Sequence, residues 1–267
     1  MEDFKTVLLE ATHEAGRIIQ EYFQGSFKIE SKEGINNLVT EVDKFSENRI
    51  IEVIKKYFPT HAIISEEVGE LKKDSPYLWI IDPIDGTVNF AHGIPICCVS
   101  IALKHNDDLL LGAVYNPMMN ELFFAEKGKG ATLNGKKISV SVKEDFRKAC
   151  LVTGFPYRWP TSPENSTDHP IRVFERFVLE GLPVRRLGSA AIDLCWVACG
   201  RFDGFWEYNL SPWDIAAGYL IVQEAGGTIT NFEGAPYSVY DKETLATNGI
   251  IHAEMLALIR KRKVPQS

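Results

Sequence analysis

The stretch from Trp79 to Thr87, WIIDPIDGT, places two carboxylates, a glycine and a hydroxyl directly behind a short apolar run. Asp82 closes the predicted strand, Pro83 turns the chain, and Asp85, Gly86 and Thr87 follow; ligand sites gather at strand ends of this kind. The same letters also spell an Asp-Pro turn, with Asp82 capping it, Pro83 preset at its second position and Asp85-Gly86 finishing it. Spacing alone leaves the two readings level. Other acids tilt the balance. Glu66 and Glu67 follow the apolar run HAIIS (61–65) and so lie at another strand's end, although solvated loop charges would look the same. Asp214 stands three residues after Ser211 in SPWD, which equally spells a capping box at a helix start. Oxygen donors with no thiolate or imidazole beside them suit a hard cation, Mg²⁺ with Mn²⁺ as a substitute.

Several elements must position these side chains. Phe4, Val7, Leu8, Ala11, Ala15, Ile18, Ile19 and Tyr22 recur at spacings of three and four, which predicts an amphipathic helix with Gly25 available to end it. Thr40 and Asp43 form a start signal for a second helix, continued by Ile50, Val53, Ile54 and Tyr57 and stopped by Pro59. Apolar runs at 61–65, 77–82, 94–103, 109–116 and 121–126 read as strands, and Asn134-Gly135 marks a tight hairpin. From about residue 150 strands alternate with helices. The order is strand ACLVTGF, a helix opening near Asp168-His169-Pro170, strand VRRLG, helix SAAIDLCWVAC, strand FDGFWEY, helix SPWDIAAGYLIVQEA, strand GTITNF and a last helix after Asn248. Two halves of one layered α/β structure are expected, 1–145 and 146–267, joined near residues 140–150.

Composition removes other classes. At 267 residues, with 45% hydrophobic and 24% charged residues, the chain reads as a folded globular protein. Its formal charge of −7 gives no general attraction to nucleic acid or to an anionic membrane, so an anionic substrate needs a local bridge such as a divalent cation. No stretch is apolar enough to cross a bilayer, and the opening MEDFKTVLLE reads as neither a signal nor a transit peptide. Five cysteines are an odd number, and adjacent Cys97 and Cys98 must face opposite ways in a strand, which argues against a disulfide framework and for a reducing cytoplasm. Residues 130–137, GATLNGKK, mimic a phosphate loop, but Lys137 replaces the needed hydroxyl and no helix follows. Cys195 and Cys199 sit in an apolar helix and read as core. Six scattered histidines form no H-E-x-x-H, no G-x-S-x-G occurs, and the run Arg260 to Lys263 complements a helix C-terminus.

WIIDPIDGTVNF, the preceding SEE, the later SPWDIAAG and the closing EAGG together resemble the inositol monophosphatase family of metal-dependent phosphatases. The resemblance covers nearly the whole chain, through LVTEVD, KGKGATLNGKKI, GFPYR, RRLGSAAIDLC, FDGFWEY and NGI in the family's order. It implies a layered α-β-α-β-α sandwich, a homodimer, lithium inhibition, and Mg²⁺-dependent hydrolysis of a small polyol or sugar phosphate by a metal-activated water. Inositol monophosphate is the foremost substrate; fructose 1,6-bisphosphate, histidinol phosphate and 3′-phosphoadenosine phosphates are alternatives. By position, Glu66, Asp82 and the Ile84 carbonyl match ligands of a first ion. Asp82, Asp85 and Asp214 match those of a second, and Glu66 faces a third through water. Most ligands thus fall in the first half, with Asp214 and the substrate contacts in the second. Asp43 and Thr87 match the pair that orients and deprotonates water, and Lys32 matches a basic residue nearby. Asp85, Gly188, Ser189, Ala190, Glu207 and Asp214 match contacts to the substrate's hydroxyl-bearing part, and Ser189 stands where relatives also carry threonine. The segment 158–170 is expected to border the site or a dimer interface.

The chemistry agrees with this assignment. A phosphate monoester dianion repels hydroxide, and its hydrolysis demands up to ~10²¹-fold acceleration. Two cations ~3.5–4 Å apart would clamp the attacking and leaving oxygens and acidify water. Gly86 allows close backbone approach, and the amides of Gly86 and Thr87 would face a phosphate if GTVNF opens a helix. An aspartyl-phosphate on Asp82 is the competing route, disfavoured because a ligating carboxylate is a poor nucleophile. A non-catalytic binding protein is the alternative class, and the complete acid set weighs against it.

Overall fold

A computed structural model describes residues 3–31, 38–156 and 169–261, and its helices and sheets stack in five alternating layers. The first layer is the pair α1 (Phe4–Tyr22) and α2 (Glu41–Tyr57). The three- and four-residue repeat of α1 gathers Val7, Leu8, Ala11, Ala15 and Ile19 on one buried face. The chain then turns at Gly25, whose N–H donates to the Tyr22 carbonyl at 2.9 Å. A ribbon of β1 (Ile29–Ser31) and β2 (Leu38–Thr40) leads into α2, which starts in the predicted Thr40–Asp43 capping box.

Beneath that pair lies an eight-stranded sheet. Its strands are β3 (Ala62–Ser65), β4 (Gly69–Leu71), β5 (Tyr77–Asp85), β6 (Cys98–His105), β7 (Asp108–Asn116), β8 (Glu121–Glu126), β9 (Gly130–Leu133) and β10 (Lys136–Lys137). The spatial order is β10-β9-β8-β7-β6-β5-β3-β4, antiparallel except where β3 runs beside β5. Side-chain alternation sends Trp79, Ile81, Val99 and Ile101 toward α1 and α2, and Ile80, Ala102, Val114 and Phe123 toward the opposite face. Cys97 and Cys98 fall on opposite sides in the same way, and all five thiols are free. Asn134 and Gly135 both adopt positive φ, as the two-residue hairpin requires.

The middle layer is α5 (Ala190–Ala198) with α6 (Pro212–Glu224), both apolar around most of their circumference because sheets cover them on two sides. The second sheet contains β11 (Leu151–Thr153), β12 (Val184–Arg185), β13 (Gly204–Tyr208), β14 (Thr228–Thr230) and β15 (Glu243–Thr247), in the order β12-β11-β13-β15-β14. Helices α4 (Pro170–Leu179) and α7 (His252–Arg260) close the far side through Val173, Phe177, Trp206 and Met255. This stacking is the expected α-β-α-β-α sandwich. The predicted alternation lacks β15, an antiparallel strand inserted between β13 and β14. Lys32 and nearly all of the segment 158–170 lie outside the described residues. No helix among the described residues is long and apolar enough to cross a membrane.

Candidate active site

Parallel pairing of β3 with β5 sets Ser65 opposite Ile81, so the next residues, Glu66 and Asp82, emerge side by side. The Glu66 N–H donates to the Ile81 carbonyl at 3.3 Å. The sequence suggests that β5 ends at Asp82 in a turn; instead the strand continues to Asp85. Asp82 pairs with Ser100 and Asp85 with Cys98, so three steps along β5 match two along β6. The extra residue is a bulge, and Pro83, which has no N–H for the ladder, sits within it. Ile84 N–H donates to Asp82 Oδ1 at 3.0 Å, closing the loop locally. The bulge re-aims Asp82 and Asp85, which simple alternation would not have done.

Gly86 follows with φ of +89°, and a Cβ there would lie 2.8 Å from the Ile96 carbonyl oxygen. It caps the short helix α3 (Thr87–Ala91). Thr87 Oγ1 stands 3.1 Å from Asp43 Oδ1 and 2.9 Å from the Ile84 carbonyl oxygen, two acceptors for one hydroxyl proton. Asp43 is also the third residue of α2, where its Oδ2 accepts the Thr40 N–H at 2.7 Å and the Thr40 hydroxyl at 2.5 Å. Asp85 Oδ2 accepts from Ser189 Oγ at 2.6 Å and from the Ala191 N–H at 2.7 Å. Asp214 Oδ2 accepts the Ser211 N–H at 2.7 Å in the α6 capping box, so the cap and the site are the same residue.

These segments enclose a cavity of about 580 Å³ lined by Glu66, Asp82, Ile84, Asp85, Gly86, Thr87, Gly188, Ser189, Ala190, Glu207 and Asp214 among others. Asp43 lies behind Thr87, removed from solvent. Burial, reinforced by the charges of Glu66, Asp85 and other acids, holds Asp82 and Asp214 well above the ordinary carboxylate range. Burial likewise pushes Asp85 up to about 6 against the pull of Ser189 and Ala191, and Asp43 to about 6 against Thr40. Glu207 rises to about 8, through burial and then the charges of Asp214 and Asp85. Among the described residues no three acids, imidazoles or thiols are drawn into a ready metal cage. The carboxylates instead line one cavity and raise one another's pKa, a concentration of acidic groups for which a bound cation is the natural counterpart. Hard oxygen donors, including the Ile84 carbonyl, suit Mg²⁺ or Mn²⁺.

The sequence profile of the inositol monophosphatase family matches residues 1–263. The chain belongs to that family. It is a phosphoric monoester hydrolase. An inositol-1-monophosphatase from Synechocystis is 45% identical over 250 residues, covering 93% of this chain and 86% of the relative. A protein named Nus factor SuhB from Haemophilus influenzae is 41% identical over 97% of both chains. The crystal structure of the extragenic suppressor protein suhB from Bartonella henselae superposes with a TM-score of 0.89 at 35% identity, covering 97% of this chain and 99% of that one.

Several residues of this inositol monophosphatase family member escaped the sequence reading. Arg186 and Lys242 also line the cavity and bring positive charge to an acidic wall; Arg186 falls within RRLGSAAIDLC, where only its charge marks it, and Lys242 belongs to no motif. Asp193 is buried within the apolar stretch of α5, with no hydrogen-bond partner for either carboxylate oxygen among the described residues. Burial and the nearby Glu207 hold it well above the ordinary range. Glu47 accepts the N–H groups of Glu67 and Val68. Its one signal is its place four residues after Asp43, on the same helical face.

Proposed function

We propose that the cavity hydrolyses the phosphate monoester of a small polyol, inositol monophosphate foremost, with Glu66, Asp82, the Ile84 carbonyl, Asp85 and Asp214 holding Mg²⁺. One observation carries this reading: four carboxylates from three segments, the end of β3, β5 and the start of α6, share one cavity beside the Thr87–Asp43 hydrogen bond. Bound there, two or three Mg²⁺ ions would supply positive charge at the phosphoryl oxygens and acidity to water. Asp43, with its pKa near 6, is an acceptor at neutral pH. Thr87 donates its hydroxyl proton to Asp43 and so offers its own lone pairs to the proton of an attacking water. Gly86 keeps the backbone close to the phosphate, while Asp85, Asp214, Gly188, Ser189, Ala190 and Glu207 border the polyol. Glu207, which burial and the charges of Asp214 and Asp85 raise to about 8 in the metal-free cavity, stands where it can hydrogen-bond a substrate hydroxyl.

Fructose 1,6-bisphosphate, histidinol phosphate and 3′-phosphoadenosine 5′-phosphate would meet the same acids and differ at the rim. The test is kcat/KM across these esters and both myo-inositol monophosphates, in Mg²⁺, for the wild type and Asp85→Asn. An inositol phosphate ranked first, with turnover abolished in a folded Asp85→Asn, supports the reading; equal turnover in that variant overturns it. The five free thiols suit a reducing cytoplasm, and a homodimer and lithium inhibition are expected of the family. A second reading, a binding role beside catalysis, is favoured by the relative named Nus factor SuhB. A cellular role retained by Asp85→Asn without phosphate release would support it.

A further inference from the structure

Helix α2 buries a short polar stripe, Asp43, Ser46 and Glu47, spaced so that all three fall on one side of the helix. Each grips a different segment of the cavity wall. Asp43 accepts the Thr87 hydroxyl at 3.1 Å, and the Ser46 hydroxyl donates to the Pro83 carbonyl within the bulge at 2.9 Å. Glu47 Oε1 accepts the Ser65 hydroxyl and, at 3.1 Å each, the N–H groups of Glu67 and Val68. Ser65 and Glu67 bracket Glu66. A carboxylate at 2% exposure that takes two consecutive amides and a flanking hydroxyl removes the freedom of the peptide carrying Glu66.

We propose that Glu47 is a positioning residue for Glu66: it fixes the turn after β3 so that the Glu66 carboxylate stays aimed into the cavity. The proposal rests on the reading of Glu66 as a ligand of a divalent cation. All three donors reach a single oxygen, so a glutamine amide oxygen at the same place would accept them all. Alanine would leave them without an acceptor, and aspartate would withdraw the oxygen by one methylene.

The test titrates the substrate-free full chain with Mn²⁺ alone and counts free ion by electron paramagnetic resonance. Glu47→Ala is expected to lower Mn²⁺ affinity by about tenfold or more, as loss of a group that orients a metal ligand does. Glu47→Gln should stay close to wild type, and Glu47→Asp takes the place of Glu47→Ala if the alanine variant does not fold. Glu121→Ala, which loses the Arg201 ion pair away from this turn, should melt earlier yet bind Mn²⁺ normally. Unchanged affinity in Glu47→Ala or Glu47→Asp, Glu47→Gln as weak as Glu47→Ala, or an equal loss in Glu121→Ala would overturn the proposal. Glu66→Gln tells the two levels apart. Wild-type Mn²⁺ affinity in Glu66→Gln defeats the ligand reading and the proposal with it, whereas weak binding there with normal binding in Glu47→Ala defeats the positioning role alone.

Discussion

The Ser189 hydroxyl donates to Asp85 Oδ2 at 2.6 Å, tying the start of α5 to the end of β5. The Ala191 N–H donates to the same oxygen at 2.7 Å, so the middle helical layer and the large sheet are pinned together at the cavity. Ser189 is almost wholly buried, and its hydroxyl is already committed. Its contribution to a substrate therefore runs through the carboxylate it orients.

Replacing Ser189 tests that relationship. A hydrogen bond to a charged group contributes about 1.5–3 kcal/mol, and Ser189→Ala should lose roughly ten- to hundredfold in kcat/KM. Ser189→Thr keeps the hydroxyl and should stay near wild type. Steady-state kinetics at saturating Mg²⁺ decide the matter; Ser189→Ala with wild-type turnover would show the bond to be idle.

Stability should fall as pH rises when no divalent cation is present. Asp43 and Asp85 move from an ordinary 3.8 to about 6 on folding, and Glu207 from 4.5 to about 8. The folded chain thus binds more protons than the unfolded one between those limits, and that stabilisation is lost as pH climbs through them. In chelator, the Tm at pH 8 is expected several degrees below that at pH 5.5, and added Mg²⁺ should narrow the gap. A flat or opposite profile by calorimetry would contradict the burial of these acids. Activity should run the other way, falling below about pH 6 as Asp43 takes up a proton.

The parts of this architecture set by local periodicity were legible in the letters. The apolar repeat of α1, the capping box of α2 and the Asn134-Gly135 hairpin each follow from short-range rules, and each stands where expected. Other parts depend on neighbours distant in sequence. ETLAT becomes a central strand because β13 and β14 flank it, and nothing in those five residues announces that company. The bulge at Pro83 reads as a turn until β6 is seen pairing beyond it. Glu47 looks like the solvated face of a helix in one dimension, and Asp193 is a lone acid in an apolar helix with no motif to explain it, yet both are buried. The Asp82 and Asp214 motifs carry a structural and a chemical reading at once, and in space Asp214 serves its helix cap with one oxygen while facing the cavity.

Asp82 should be a site of conflict between stability and catalysis. It is buried, and the charges of Glu66, Asp85, Asp214 and Asp43 all oppose its ionisation. Asp82→Asn keeps an oxygen for the Ile84 N–H and removes one charge from the cluster. In chelator the variant is expected to melt at a higher temperature than wild type, while turnover in Mg²⁺ falls at least about a hundredfold. Lower stability together with retained activity would show that Asp82 is a structural acid rather than a cation ligand.

Thr87 offers the sharpest separation of proton handling from cation binding. Its hydroxyl has two acceptors within reach, Asp43 Oδ1 at 3.1 Å and the Ile84 carbonyl at 2.9 Å. If the bond to Asp43 is the working one, Thr87→Val should lower kcat by about 10²–10⁴ and leave the Mg²⁺ midpoint in place. Thr87→Ser should retain most of the rate. If the hydroxyl serves chiefly to hold the Ile84 carbonyl, Thr87→Val will instead raise the Mg²⁺ midpoint and recover its rate at saturating metal. Measuring kcat across a Mg²⁺ titration for the three proteins distinguishes the outcomes, and the second would remove Thr87 from the proton path.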